Sequence, residues 1–197
     1  MPRFPLFIDL ENAPCAVIGG GAVALRKIQM LLDFGARITV FDPEPHENLE
    51  SLALEHDVTL VRRPYGGPGD IEGARLVITA AGSREVNRQA SGDAKTLGIP
   101  VNVADDPGAC TFFFPAIIRR GELVAGLSSS GGCPRFTTRL KQELENCWPS
   151  GWGDALEALG KERRRLRETE SPEKALHIID EIITKLLKEE TSPKEDQ

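Results

Sequence analysis

The run CAVIGGGAVALRKIQMLLDFGA, residues 15–36, constrains the fold more than any other stretch of the chain. Four apolar or small residues lead into three glycines, a signature of a short buried strand that ends in a tight turn. Beyond the glycines, Ala24, Leu25, Ile28, Leu31 and Leu32 recur at helical spacing, and Gly35 is placed to end the helix. A strand, a glycine turn and a helix in that order open a strand–helix–strand unit. The pattern then repeats. RITVFD, VTLVRRP, RLVITAAG and IPVNVA read as strands, SLALEHD and SREVNRQASGDAKTLG as helices, the second closing at Gly98. Alternation of this kind predicts a parallel, doubly wound sheet with helices on both faces, an α/β fold.

The turn itself carries chemistry. Gly19, Gly21 and Ala24 fit G-x-G-x-x-A. The first glycine permits the tight turn, the second lets backbone approach a pyrophosphate, and the alanine brings helix close to sheet. The helix N–H groups then face the negative charge. Asp42 ends the second strand, where an acid accepts both ribose hydroxyls, and this favours NAD over NADP. The expected cofactor contacts are Gly19, Gly20, Gly21, Ala22 and Val23 in the turn, Asp42 and Pro43 after the second strand, Ala80 and Ala81 after the fourth, and Asn102 in the fifth. The bland alternative is a glycine turn beside an ordinary capping acid.

After Asp106 the alternation stops. PAIIRRG and ELVAGLS read as a hairpin turning at Gly121 and Glu122. CPRFTTRLKQELENCW reads as a helix with Pro134 in its first turn and an apolar stripe of Phe136, Leu140, Leu144 and Trp148. Pro149, Gly151 and Gly153 mark a break, followed by a charged helix, ALEALGKERRRLRETE. A last helix opens with Ser171 as cap and Pro172 at its first position, with Leu176, Ile179, Ile183 and Leu186 as its buried face. The tail TSPKEDQ is expected to be disordered. These readings divide the chain into a dinucleotide-binding domain at 1–112, a small α+β region at 113–148 and a helical C-terminal domain at 149–197.

Composition narrows the function classes. A hydrophobic fraction of 40% and a charged fraction of 27% are globular values. A net charge of −6 argues against a general nucleic-acid binder. No apolar run approaches the ~20 residues that span a bilayer, and the first residues lack a signal-peptide core, so a cytoplasmic protein without membrane partners is expected. Cys15, Cys110, Cys133 and Cys147 are scattered, and His46, His56 and His177 lie far apart; no metal-ligand spacing emerges, and free structural thiols are expected.

Four segments together resemble the siroheme synthase family, whose dehydrogenase region includes precorrin-2 dehydrogenase: LFIDL before the first strand, GGGAVALRK, VITAAGSREVN, and VNVADDP leading to FFFPAIIRRGELVAGLSSSGG. They cover about residues 5 to 145 in order. The resemblance implies a Rossmann-type domain, a dimerisation region that exchanges strands, and a small helical domain. It implies a homodimer that oxidises precorrin-2 to sirohydrochlorin with NAD, and in some members inserts ferrous iron into the product. Asn102, Val103 and Pro107 fix the register of the N-V-x-D-x-P segment and place the family's catalytic aspartate on Asp105, leaving Asp106 to the turn. Burial beside Phe112–Phe114 is the expected way to raise the basicity of Asp105. One departure stands out: GGCPR replaces the family's GG-x-S-P.

A tetrapyrrole polycarboxylate needs cations and backbone donors. Between Val101 and Lys141 the basic residues Arg119, Arg120, Arg135, Arg139 and Lys141 outnumber the acids Asp105, Asp106 and Glu122. Arg119, Arg120, Arg135, Arg139 and the loop Ser128, Ser129, Ser130 and Gly131 are therefore the candidate substrate-binding groups. A chain of 197 residues is expected to lack a methyltransferase domain, so a partner enzyme would supply precorrin-2. Two rivals remain: an NAD(H)-sensing regulatory module without chemistry, and a dehydrogenase for a small metabolite.

Overall fold

The computed structural model describes residues 3–191, which fall into two compact units divided between Phe114 and Pro115. In the first unit, strands β1 (Pro14–Ile18), β2 (Arg37–Phe41), β3 (Val58–Val61), β4 (Leu76–Thr79) and β5 (Val101–Val103) form one sheet in the order β3-β2-β1-β4-β5. Every pairing is parallel. Helices α1 (Ala22–Leu32), α2 (Glu47–Glu55) and α3 (Arg84–Thr96) connect them. The chain runs outward from β1 to β3, then returns to the other side of β1 for β4 and β5. The expected doubly wound α/β sheet is the observed one.

Both faces of the sheet are covered, which is why its central strands read as unbroken apolar runs. All of β4 is buried. Val17, Ile38, Val40 and Ile78 point to one face and pack with Ala24, Ile28 and Leu31 of α1 and Leu49 of α2. Ala16, Ile18, Val77 and Val101 point to the other and pack with Ala90 and Ala94 of α3. Helix ends follow local chemistry. The N–H of Gly35, at φ +76°, donates to the Leu32 carbonyl and turns the chain out of α1. Ser83 caps α3 by accepting from the Val86 N–H at 3.4 Å, and Gly98 follows its end at φ +70°.

The second unit begins with an antiparallel hairpin, β6 (Ala116–Arg120) and β7 (Leu123–Leu127), which turns at Gly121 with φ +58°. Helices α4 (Pro134–Cys147), α5 (Trp152–Thr169) and α6 (Pro172–Thr191) follow. Ser171 caps α6, its hydroxyl accepting from the Lys174 N–H. Two sequence readings need correction. Helix α5 starts at Trp152, inside the expected break. Gly153 lies so close to the hairpin that an added Cβ would sit 2.9 Å from the Arg120 carbonyl, so this glycine serves packing instead of ending a helix. On the α4 stripe, Phe136 is 63% exposed and Leu140 37%, while Leu144 and Trp148 are half-buried. On α6, Leu176 is 63% exposed, and Ala175 takes its place beside half-buried Ile179, Ile183 and Leu186. The tail after Thr191 lies outside the described residues.

Among the described residues no helix is long and apolar enough to cross a membrane. Among those residues, no group of three or more His, Cys, Asp or Glu side chains is placed to hold a metal ion. The four cysteines are free thiols.

Candidate functional site

The loops at the C-terminal ends of β1, β2, β4 and β5 meet around the point where strand order reverses, the crevice in which doubly wound sheets take their ligands. Gly19 stands at φ +99°, with its N–H donated to the Phe41 carbonyl. A Cβ there would lie 2.5 Å from the carbonyl carbon and oxygen of Ala80 and the nitrogen of Ala81. Glycine is the residue this close crossing of two loops demands. A Cβ on Gly20 would meet Pro45 at 3.0 Å. Gly21 differs: a Cβ on it would meet nothing within 4 Å. It caps α1 without a side-chain hydrogen bond, and no acid occupies the first turn. The helix thus opens, at exposed Ala22 and Val23, with no side-chain cap and with open space where a side chain of residue 21 would stand, an arrangement suited to a pyrophosphate.

Asp42 follows β2. One carboxylate oxygen accepts from the Gly20 N–H at 2.6 Å and the other from the Glu44 N–H at 2.8 Å. The acid thus ties the loop containing Pro43 to the glycine turn, and each oxygen keeps a lone pair for a ribose hydroxyl. Across the switch point, Ala80 and Ala81 are held by bonds to β1 and α3. The Asn87 side chain accepts from the Ala81 N–H and donates to the Ala81 carbonyl, both at 2.9 Å. The N–H of Ala80 donates to the Ile18 carbonyl at 2.7 Å.

Asn102 is buried in β5. Its amide NH₂ donates to the Phe112 carbonyl at 3.1 Å, and its oxygen accepts from the Lys27 ammonium at 2.8 Å. Just beyond it, Asp105 adopts φ +61°, a left-handed backbone that asparagine and aspartate tolerate better than most residues. Its carboxylate makes no hydrogen bond among the described residues. Asp106 takes the turn role: one carboxylate oxygen and its carbonyl both receive the Ala109 N–H at 3.1 Å. Asp105 is exposed and is not buried against the phenylalanines, which corrects the expectation of a basicity raised by burial. Phe112 and Phe114 pack on one core cluster and Phe113 on the other. Cys110 closes the loop from beneath: its sulfur accepts from the Val103 N–H at 3.1 Å and lies 3.3 Å from both the Val103 and Asp106 carbonyls.

The candidate substrate groups lie in the second unit. The Arg120 guanidinium is committed to carbonyls at the end of α4, those of Glu145 and Trp148. Arg139 pairs with Glu143 at 2.9 Å, and Arg119 donates to the Gly121 carbonyl. Arg135 is exposed at the first turn of α4. In the serine loop, Ser128 accepts from the Ser130 N–H and Ser129 from the Cys133 N–H, with Ser130 at φ +53° and Gly131 at φ +85°. A shallow depression lined by Glu72, Arg75, Leu97, Ile99 and Pro100 opens at the opposite, N-terminal edge of the sheet and takes no part in this site.

Sequence reading did not assign the roles of Asn87, Cys110 and Lys27. Asn87 and Lys27 stand inside segments that bear the family resemblance, but no spacing rule links Lys27 to Asn102, which is 75 residues away. The bond exists only once β5 lies two strands from β1.

A family model described as putative NAD(P)-binding matches residues 6–116. The chain is 36% identical over 168 residues to the siroheme synthase of Nitrosomonas europaea and 37% over 168 residues to that of Methylococcus capsulatus. Each alignment covers 85% of this chain and 35% of the relative. The chain therefore spans about a third of the length of the curated relatives it matches. In three dimensions it is similar to SirC, a precorrin-2 dehydrogenase, with a TM-score of 0.75 and 24% identity over 92% of this chain and 89% of that one, a likeness of fold.

Proposed function

This chain belongs to the putative NAD(P)-binding family, and from that premise we propose that it oxidises precorrin-2 to sirohydrochlorin with NAD as acceptor. The observation that carries the reading is the arrangement along one sheet edge. The glycine turn and Asp42 lie on one side of the strand reversal, and the Asp105 loop lies on the other. A dinucleotide laid across that edge brings its nicotinamide end toward Asp105. Siroheme synthase relatives supply the substrate class.

The residues fit the cofactor. Gly21 leaves backbone open beneath a pyrophosphate, and α1 offers uncapped N–H groups. Asp42 presents carboxylate oxygens to the ribose, and a 2′-phosphate would meet that same negative charge, so NAD is the favoured form. Bound NAD supplies the acceptor for the hydride that the macrocycle loses. The accompanying proton goes to Asp105, whose exposed carboxylate makes no hydrogen bond among the described residues and keeps its lone pairs for it. In the second unit, Arg119, Arg135, Arg139 and the serine loop are the proposed carboxylate contacts. A homodimer fits the exposed Phe136 and Leu140 of α4.

The test is anaerobic: precorrin-2 and NAD with wild type and Asp105→Asn, followed by the sirohydrochlorin spectrum and NADH absorbance. Wild type should turn over, and the variant should lose about 10²-fold in rate at unchanged NAD affinity. NAD binding without turnover by wild type would favour a sensing module. NADP in place of NAD should cost at least ~10-fold in kcat/KM. Ferrous iron added to sirohydrochlorin, against a control without protein, decides chelation separately.

A further inference from the structure

We propose that Lys27 is a substrate-binding residue, holding one carboxylate of the polyanionic substrate beside Asp105. This rests on the reading above and names a contact that the family likeness does not assign.

Lys27 is half-buried on α1, on the side facing β5. Its ammonium donates to the Asn102 side-chain oxygen at 2.8 Å and lies 4.4 Å from the centre of the Phe114 ring. Among the described residues it has no carboxylate partner. A half-buried cation is normally paired, because desolvation disfavours its charge. Here a neutral amide and an aromatic face are the compensation, and both leave the positive charge formally unbalanced. An ammonium carries three N–H donors, so at least one remains for an anion.

Burial holds the Lys27 amine below its ordinary pKa, with Arg26 pushing the same way and the charges of Cys110 and Asp105 opposing. A carboxylate bound against Lys27 would relieve that penalty. Asp105 lies close enough for its charge to be felt, but the two make no ion pair. The lysine is also on the β5 side of the switch point, away from Asp42, so the adenine ribose of a bound dinucleotide does not compete for it.

Two substitutions separate charge from scaffolding. Lys27→Gln keeps an N–H donor for Asn102 and removes the charge. Lys27→Arg keeps the charge. In the full chain, Lys27→Gln should raise the KM for precorrin-2 by about 10-fold or more, and Lys27→Arg should stay within about 3-fold of wild type. NAD affinity, measured by titration, should change less than about 2-fold in both. Three results would overturn the proposal: a wild-type KM for Lys27→Gln, equal losses in the two variants, or a parallel loss of NAD affinity, which would place the contact on the cofactor. Should Lys27→Gln fail to fold, the Lys27 side-chain resonance of ¹³C-lysine-labelled wild type, assigned with Lys27→Arg, takes its place. It should shift on adding sirohydrochlorin beyond any shift with NAD alone, and its silence would count against the contact. If wild type shows no turnover, the proposed reaction fails on its own. Sirohydrochlorin titration of wild type against Lys27→Gln then still reads Lys27, with equal binding or none overturning its role.

Discussion

Gly19 and Gly21 are two residues apart and answer to different constraints. At Gly19 the backbone is left-handed at φ +99°, and an added methyl would lie 2.5 Å from Ala80 and Ala81 backbone atoms that cannot rotate away. Gly19→Ala should therefore cost about 3 kcal/mol of stability, read as a lower denaturant midpoint, before any ligand is added. At Gly21 the backbone has φ −80° and ψ −177°, which any residue adopts, and a methyl meets nothing within 4 Å. Gly21→Ala should leave stability within ~1 kcal/mol. It should nevertheless weaken NAD binding at least ~10-fold, because the methyl fills the space proposed for the pyrophosphate. A variant that binds NAD like wild type would remove the pyrophosphate from that position. Asp105 and Asp106 divide in the same manner: one is spent on the Ala109 N–H, and the other is held at φ +61° with its carboxylate uncommitted.

The strands and helices of the first unit were legible because each is short, apolar on a definite period and punctuated by a residue with a backbone reason, such as Gly35 or Gly98. The alternation gave the parallel sheet and the register of the glycine turn against Asp42. Less was legible where burial depends on what an element packs against: the spacing of Phe136 and Leu140 marks one face of α4 but not whether that face is covered, and Leu176 and Ala175 are separated by a single step of helix rotation. The links that join elements were not legible at all. Asn87 clamps the loop after β4 with two bonds to Ala81, and Asn87→Ala should cost about 1 kcal/mol because it removes the partners of a part-buried N–H and carbonyl. Asp70 is a second such link. It takes two guanidinium bonds from Arg63 and the Gly66 N–H, and the Arg63 hydrogen bond leads in holding its pKa below the ordinary carboxylate value. A carboxyl lowered on folding stabilises above its unfolded pKa, and that contribution fades as pH falls through the folded one. Asp70→Asn should thus lose about 1 kcal/mol at neutral pH, and the gap from wild type should close in acid, as urea titrations at two pH values would show.

Across the whole chain, burial sorts the thiols and the boundary sorts the core. Cys15 is buried, which pushes its pKa up to about 11, and Cys110 is buried beneath the Asp105 loop; Cys133 and Cys147 are exposed. A thiol reagent should accordingly label Cys133 and Cys147 within minutes in the native protein and reach Cys15 and Cys110 only after denaturant is added. Among the described residues, the two buried apolar clusters of the sheet draw every member from the first unit, from Leu10 to Phe114. The glycine turn, Asp42, the Asn87 clamp and the Lys27–Asn102 link lie in the same unit. A fragment ending at Phe114 should therefore fold cooperatively and bind NAD within a few-fold of the full chain. It should not oxidise precorrin-2, since the proposed carboxylate contacts of the hairpin and α4 are gone. Circular dichroism, NAD titration and the anaerobic assay on fragment and full chain make the comparison. A fragment that stays unfolded would show that the sheet needs the second unit for its stability, and one that turns over at the full rate would remove Arg119, Arg135, Arg139 and the serine loop from substrate binding.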